Sequence, residues 1–412
     1  MDSERLLSIV KRYGTPCFVF DEEVLARRMR EIGAILGESV RLCYSIKANP
    51  FLIPAMREMT GLLEVCSPGE LAICEALGVD PDTILFSGVN KTAGDIAHAM
   101  DVGVTRFTAE SPLHVALLEQ EAAARGKTFP VLLRLTAGTQ FGMDESDLLA
   151  LVDARENTPH LRFEGLHYFA GTQRKKLTEQ TAELDRLAAF MDKLESEHGF
   201  PVKQLEYGPG LYFPYFAHED DSDTLAPLRE LAPRLAQMAE RTELTVEMGR
   251  FFVSACGTYL TTVADTKVNC GYHYAIVDGG IHHVNYIGGN MGMRVPRIAL
   301  LPGPQHKTVE GCPNAGDCQS ADTCFNAHPD LEDWQLCGSL CTTADVLVRR
   351  VALAGLTRGD VLAFQNIGAY SVTEGPALFL SRDLPQIVLA NADGDRLARG
   401  TVRASDINRP RA

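Results

Sequence analysis

The chain has 412 residues, 45% hydrophobic and 23% charged, enough to bury a large core without disulfide staples. A net charge of −15 and a pI near 5.2 give a surface that repels nucleic acid and anionic lipid, so neither is an expected partner. No run of 18 apolar residues suggests a membrane-spanning helix, and the opening MDSERLLSIVKRYG lacks the apolar core of a secretory signal.

In chain order, 15–20 (TPCFVF) reads as a strand, followed by a helix. Short apolar or β-branched runs then recur at 41–46 (RLCYSI), 62–66 (LLEVC), 84–88 (ILFSG), 104–108 (VTRFT), 131–136 (VLLRLT), 163–169 (FEGLHYF), 204–207 (QLEY) and 244–248 (LTVEM). Between them lie helix-period segments such as 69–77, 112–124 and 177–196. Eight strands alternating with helices over roughly 210 residues predict a (β/α)₈ TIM-like barrel, although an open doubly wound sheet has a similar rhythm. After residue 250 strand-like runs at 257–265, 273–278, 345–352, 360–365 and 385–390 are separated by Gly-, Pro- and Asn-rich turns. They predict a C-terminal β domain, with a frayed tail after about 403. The early strand belongs with that domain, so the expected division is a barrel at 30–252 and a discontinuous β domain at 1–29 and 253–412.

Catalytic groups of a barrel sit at the C-terminal ends of its strands. Lys47 (YSIKANP) follows the first. Most lysines are solvated surface charges, but one set behind a buried run has a depressed pKa and can form a Schiff base. Gly208-Pro209-Gly210 follows the seventh strand, where paired glycines let backbone N–H groups approach a phosphate; alone, the pattern is also a common turn. Glu247-Met248-Gly249-Arg250 ends the eighth. A carboxylate and a guanidinium there suit a cofactor with a basic ring nitrogen and a phosphate, or form a plain ion pair. Cys341 (CGSLCTTAD) and Tyr370 (NIGAY) lie far along in the β domain. The eleven cysteines are scattered, mostly in apolar runs, which fits reduced thiols in a cytoplasm.

The segments YSIKAN, EVCSPGELA, FSGVNKT, RFTAES, GLHYFAGTQ, YGPG, EMGR, VDGG, CGSLCTTAD and GDVLAFQNIGAY span nearly the whole chain. In that order they resemble the fold type III pyridoxal-phosphate decarboxylases, the family of diaminopimelate, ornithine and arginine decarboxylases. The resemblance implies an alanine racemase-like barrel plus β domain, pyridoxal 5′-phosphate as cofactor, and a homodimer with shared active sites. It implies that Lys47 holds the cofactor and Glu247 pairs with its pyridine nitrogen. Gly208, Gly210, Arg250 and Tyr370 would hold the phosphate, with Met248 and Gly249 in the same cofactor-binding turn. Glu64, Arg134, His167 and Phe169 would lie near the ring or the lysine. Cys341, from the partner subunit, would reprotonate the substrate carbon, and Asp278, Thr342, Asp345 and Tyr370 would contact substrate.

The departures from the family pattern bear on substrate. Phe169 stands where the family stacks a histidine on the ring, and His167 lies two residues earlier on the same strand face. Thr342 replaces the acidic residue that follows the cysteine in diaminopimelate and ornithine enzymes. No arginine stands about six residues beyond Gly279-Gly280; the next is Arg294. Segments 140–146 (QFGMDES), 170–173 (AGTQ), 213–219 (FPYFAHE), 277–283 (VDGGIHH) and 340–345 (LCTTAD) are similar to decarboxylases of natural-product pathways, including one acting on glutamyl groups carried by an acyl carrier protein. The expected activity is therefore decarboxylation of an amino acid or derivative, free or carrier-tethered, in biosynthesis. The alternatives are diaminopimelate decarboxylase, an amino-acid racemase, or a non-catalytic cofactor-binding protein of the same fold. Cys312, Cys318, Cys324 and His328, with Cys337 beyond, are soft ligands, but their spacing lacks the usual knuckles and no metal site is expected.

Overall fold

The structure, a computed structural model, describes residues 1–286, 291–304, 306 and 332–410. Cys312, Cys318, Cys324 and His328 lie outside the described residues. The chain divides into two units: 1–27, 214–223 and 253–412 form one, and 28–213 with 224–252 the other.

The strand β1 (Cys17–Asp21) belongs to the first unit. The second is a closed parallel barrel of β2 (Val40–Ser45), β3 (Leu62–Val65), β4 (Ile84–Phe86), β5 (Arg106–Ala109), β6 (Phe129–Arg134), β7 (Leu161–Phe169), β8 (Gln204–Gly208) and β9 (Glu243–Met248). These strands read as nearly unbroken apolar runs because one face packs in the barrel and the other under helices. The helices start where the sequence offers caps. Ser67 accepts from the Glu70 amide at 3.2 Å with Pro68 behind it, Thr92 and Asp95 form a reciprocal capping box, and Ser111 accepts from His114. Strand and helix thus alternate by local chemistry, and closure pairs β9 with β2.

In the first unit, nine strands form one sheet among the described residues. The long β10 (Gly257–Asn269) pairs with β1, and a register shift at Val263/Asp265 lets its far half pair with β11 (Tyr272–Val277). β12 (Ile298–Leu301) pairs with β15 (Val361–Gln365), while β13 (Glu332–Cys337) and β14 (Val346–Leu353) form a hairpin beside β11. β16 (Gln386–Asn391) runs parallel to β1 and pairs with β17 (Gly394–Arg399). Leu6, Ile9, Val19, Leu260, Leu301, Val361 and Val388 build a core here.

Three strands, β12, β13 and β17, escaped the sequence reading. β17 (GDRLAR) is a polar edge strand whose charges keep other chains from pairing with it, so it carries little apolar signal. The tail is not frayed: Ala404–Asn408 is a helical turn with Ala404 buried, and Asn408 donates to the Leu378 carbonyl and Ser381 Oγ. Residues 214–223, which sequence assigned to the barrel, group with the β unit. Ala217 donates to Val295, and the Tyr215 hydroxyl bonds to Ser254 Oγ beside the Tyr286 ring.

Candidate active site

β2 ends at Ser45, and a 3₁₀ turn (Ile46–Ala48) carries Lys47 out over the strand ends. Register sets Ser45 opposite Glu64 of β3 and Cys43 opposite Glu247 of β9. Lys47 Nζ lies 2.5 Å from Glu64 Oε2, 3.4 Å from Cys66 Sγ and 3.7 Å from Glu247 Oε1. The sequence reading expected a buried lysine; instead its side chain is 39% exposed and charge-paired with Glu64.

Glu247 is the best-supported group of the cluster. Ser45 Oγ donates to Oε1 at 2.8 Å, and His167 Nε2 stands 3.0 Å from Oε2. Burial alone would raise this carboxyl, but the Lys47 ammonium and the His167 hydrogen bond hold it well below the usual range. His167 is buried, with Nδ1 lacking a hydrogen-bond partner among the described residues. Strand alternation turns the Met248 side chain away from the side that Glu247 occupies. Gly249 and Arg250 follow at the strand end, Arg250 being 8% exposed at the start of the helical turn Arg250–Val253.

Gly208 and Gly210 bracket Pro209 beyond β8. A Cβ on Gly208 would sit 2.4 Å from the Phe169 ring, and Gly210, at φ +59°, would place one 1.7 Å from the Gly171 carbonyl. The backbone here approaches Phe169 and Gly171 as only glycine permits. Arg134, expected near the ring, gives Nη1 to Glu110 at 2.7 Å and lies over the Phe141 ring, so its charge is already matched.

Three groups at these strand ends were missed: Glu110, Cys66 and Lys91. Lys91 is 4% exposed and donates to the Gly88 carbonyl; burial lowers its pKa to about 8 against the pull of Glu110. The available signal was position, since each follows or ends a barrel strand.

In the β unit, Cys341 and Thr342 are exposed on the loop between β13 and β14. Two expected substrate contacts, Asp278 and Asp345, hydrogen-bond within the β unit. Asp278 accepts from Thr261 Oγ1 (2.6 Å), the Thr262 amide (3.0 Å) and Thr15 Oγ1 (2.6 Å). Asp345 is 3% exposed and accepts from the Ile281 and Leu340 amides at 2.8 and 2.7 Å. Both carboxylates are occupied within their own unit. Tyr370 takes a left-handed φ of +66° ahead of the helical turn Ser371–Glu374. Among the described residues no cluster of His, Cys, Asp or Glu could hold a metal ion.

The barrel's donor set fits a pyridoxal phosphate: an amine (Lys47), an ionised carboxylate for a ring nitrogen (Glu247), and a glycine turn for a phosphate (Gly208 and Gly210). Residues 22–254 match the family model for the pyridoxal-dependent decarboxylase, pyridoxal binding domain. The chain is 26% identical to the L-glutamyl-[BtrI acyl-carrier protein] decarboxylase of Niallia circulans, over 99% of this chain and 96% of that one. It is 25% identical to the diaminopimelate decarboxylase of Zymomonas mobilis, over 98% and 94%. The fold matches the Helicobacter pylori diaminopimelate decarboxylase complexed with L-lysine with a TM-score of 0.82, at 18% identity and 98% coverage of both chains. With the family model covering more than half of its length, barrel and strand-end residues included, the chain belongs to the pyridoxal-dependent decarboxylases.

Proposed function

We propose that this decarboxylase acts in a biosynthetic pathway on an amino acid whose distal end is neutral or tethered to an acyl carrier protein. Pyridoxal phosphate, when bound, supplies the electron sink that accepts the pair left by departing CO2. Lys47 holds the cofactor and Glu247, kept ionised, keeps the pyridine nitrogen protonated; His167 and Ser45 fix the carboxylate's orientation. Gly208, Gly210, Arg250 and Tyr370 would hold the phosphate, and Phe169 would face the ring. Cys341 of the partner subunit delivers a proton to Cα. The barrel thus carries the cofactor and the β unit the proton donor and the substrate's far end.

One observation carries the substrate reading. Asp345 is the lone carboxylate of residues 338–345, and both its oxygens are taken by backbone amides. Thr342, beside Cys341, is neutral, so this loop offers no carboxylate to a distal ammonium. The Niallia circulans relative, named for a carrier-bound glutamyl group, supports the same reading. Homodimer formation is supported by the exposed apolar turn Leu378, Phe379 and Leu380, each 44–49% exposed. A reducing cytoplasm fits the free thiols of Cys17, Cys43, Cys74 and Cys256, all buried.

CO2 release measured over free and carrier-tethered amino acids tests the reading. Turnover should be greatest with carrier-tethered or distally neutral substrates. A lost charged contact costs about 2–5 kcal/mol, so meso-diaminopimelate and ornithine should turn over tens to thousands of times more slowly. A kcat/KM on meso-diaminopimelate of about 10⁴ M⁻¹s⁻¹ or more would overturn it in favour of a diaminopimelate decarboxylase. Loss of optical rotation without CO2 would identify a racemase.

A further inference from the structure

The loop that carries Cys341 closes the β13–β14 hairpin, where Cys337 pairs with Val346. A long surface loop would ordinarily sample many conformations. This one is tied at its base by a single buried side chain. Asp345 Oδ2 accepts from the Leu340 amide at 2.7 Å, and Oδ1 accepts from the Ile281 amide at 2.8 Å. The carboxylate therefore bridges the Cys341 loop and the turn after β11. Main-chain bonds run alongside it: Gly338 donates to the Asp345 carbonyl at 3.0 Å, and Ser339 donates to Gly279 at 2.7 Å. Arg382 adds a bond to the Ser339 carbonyl at 2.9 Å.

Two glycines leave room for this carboxylate. A Cβ on Gly338 would fall 2.3 Å from Asp345 Oδ2, and one on Gly280 would fall 2.7 Å from both oxygens. A longer acid at 345 has no space between them. The pocket is matched to an aspartate in one position, with each oxygen used by an amide of a different segment.

We propose that Asp345 is a positioning residue: a clasp that fixes the Cys341 loop onto the turn at residues 279–281 and so sets the place of the Cys341 thiol. Its catalytic consequence rests on the reading of Cys341 as proton donor, whereas its structural content does not. A proton donor displaced by about 1 Å loses up to a hundredfold in rate, which gives a tight clasp its value.

The test is the rate at which iodoacetamide alkylates Cys341 in the purified protein, with the exposed Cys270 as internal reference. Asp345→Asn turns one accepting oxygen into a donor facing an amide N–H, and also removes a negative charge near the thiol. Gly338→Ala keeps the charge but pushes the carboxylate off its seat. Alkylation of Cys341 should change by about fivefold or more, in the same direction in both variants, relative to Cys270, because the clasp fixes the surroundings of this already exposed thiol. Hydrogen exchange at peptides spanning Leu340 and Ile281 should quicken in step. A changed alkylation rate in Asp345→Asn alone would assign the effect to charge and overturn the clasp. Unchanged exchange in both variants would overturn it as well. If Cys341→Ser retained full CO2 release, the proton-donor reading would fall; the alkylation and exchange rates decide the clasp separately.

Discussion

Glu206 offers a measurement of how the barrel interior treats charge. It lies in β8, 1% exposed, and among the described residues its carboxyl oxygens find no oxygen or nitrogen hydrogen-bond partner. Burial first, and then the negative charges of Glu247 and Glu64, push its carboxyl well above the ordinary 4.5; a hydrogen bond from Cys43 and the Lys47 ammonium oppose this. Between about pH 4.5 and that raised pKa, Glu206 is protonated in the folded protein and ionised in the unfolded chain. The folded state then binds one more proton than the unfolded state, so stability falls as pH rises from that value toward the folded-state pKa. The slope is about 1.4 kcal/mol per pH unit. Glu206→Gln keeps the shape and removes the titration. As pH rises above about 4.5 its stability relative to the parent should grow, and below pH 4.5 the difference should level off. Urea unfolding of the cofactor-free protein at half-unit pH steps measures this directly. A difference that stays flat from pH 5 to 7 would show that Glu206 is ionised in the fold and refute the reasoning.

Borohydride reduction of the cofactor-loaded protein should fix the cofactor onto Lys47, read by peptide mapping, and Lys47→Ala should abolish CO2 release; an adduct on Lys91 would move the site. Mixing Lys47→Ala chains with Cys341→Ala chains, each inactive alone, should restore about a quarter of the sites once subunits exchange. Absence of recovery after demonstrated exchange would rule out active sites shared between subunits.

Much of this architecture was legible in the sequence because its determinants are local. The eight barrel strands and their helices follow from apolar runs, Ser-Pro caps and Gly turns a few residues long. Lys47 and Glu247 were findable because barrel chemistry collects at strand ends, a rule that needs only the strand count. What each side chain does there was not legible. Lys47 meets both Glu64 and Glu247 because β3 pairs on one side of β2 and barrel closure sets β9 on the other, joining residues 47, 64 and 247. The family resemblance implied that Asp278 and Asp345 contact substrate, and only the structure shows that three threonines bond to one and two amides to the other. The unpartnered state of Glu206 likewise depends on what faces it across the barrel. Periodicity fixes which face a residue takes; the partner it finds on that face is set by segments hundreds of positions away, and only the closed tertiary structure brings them into contact.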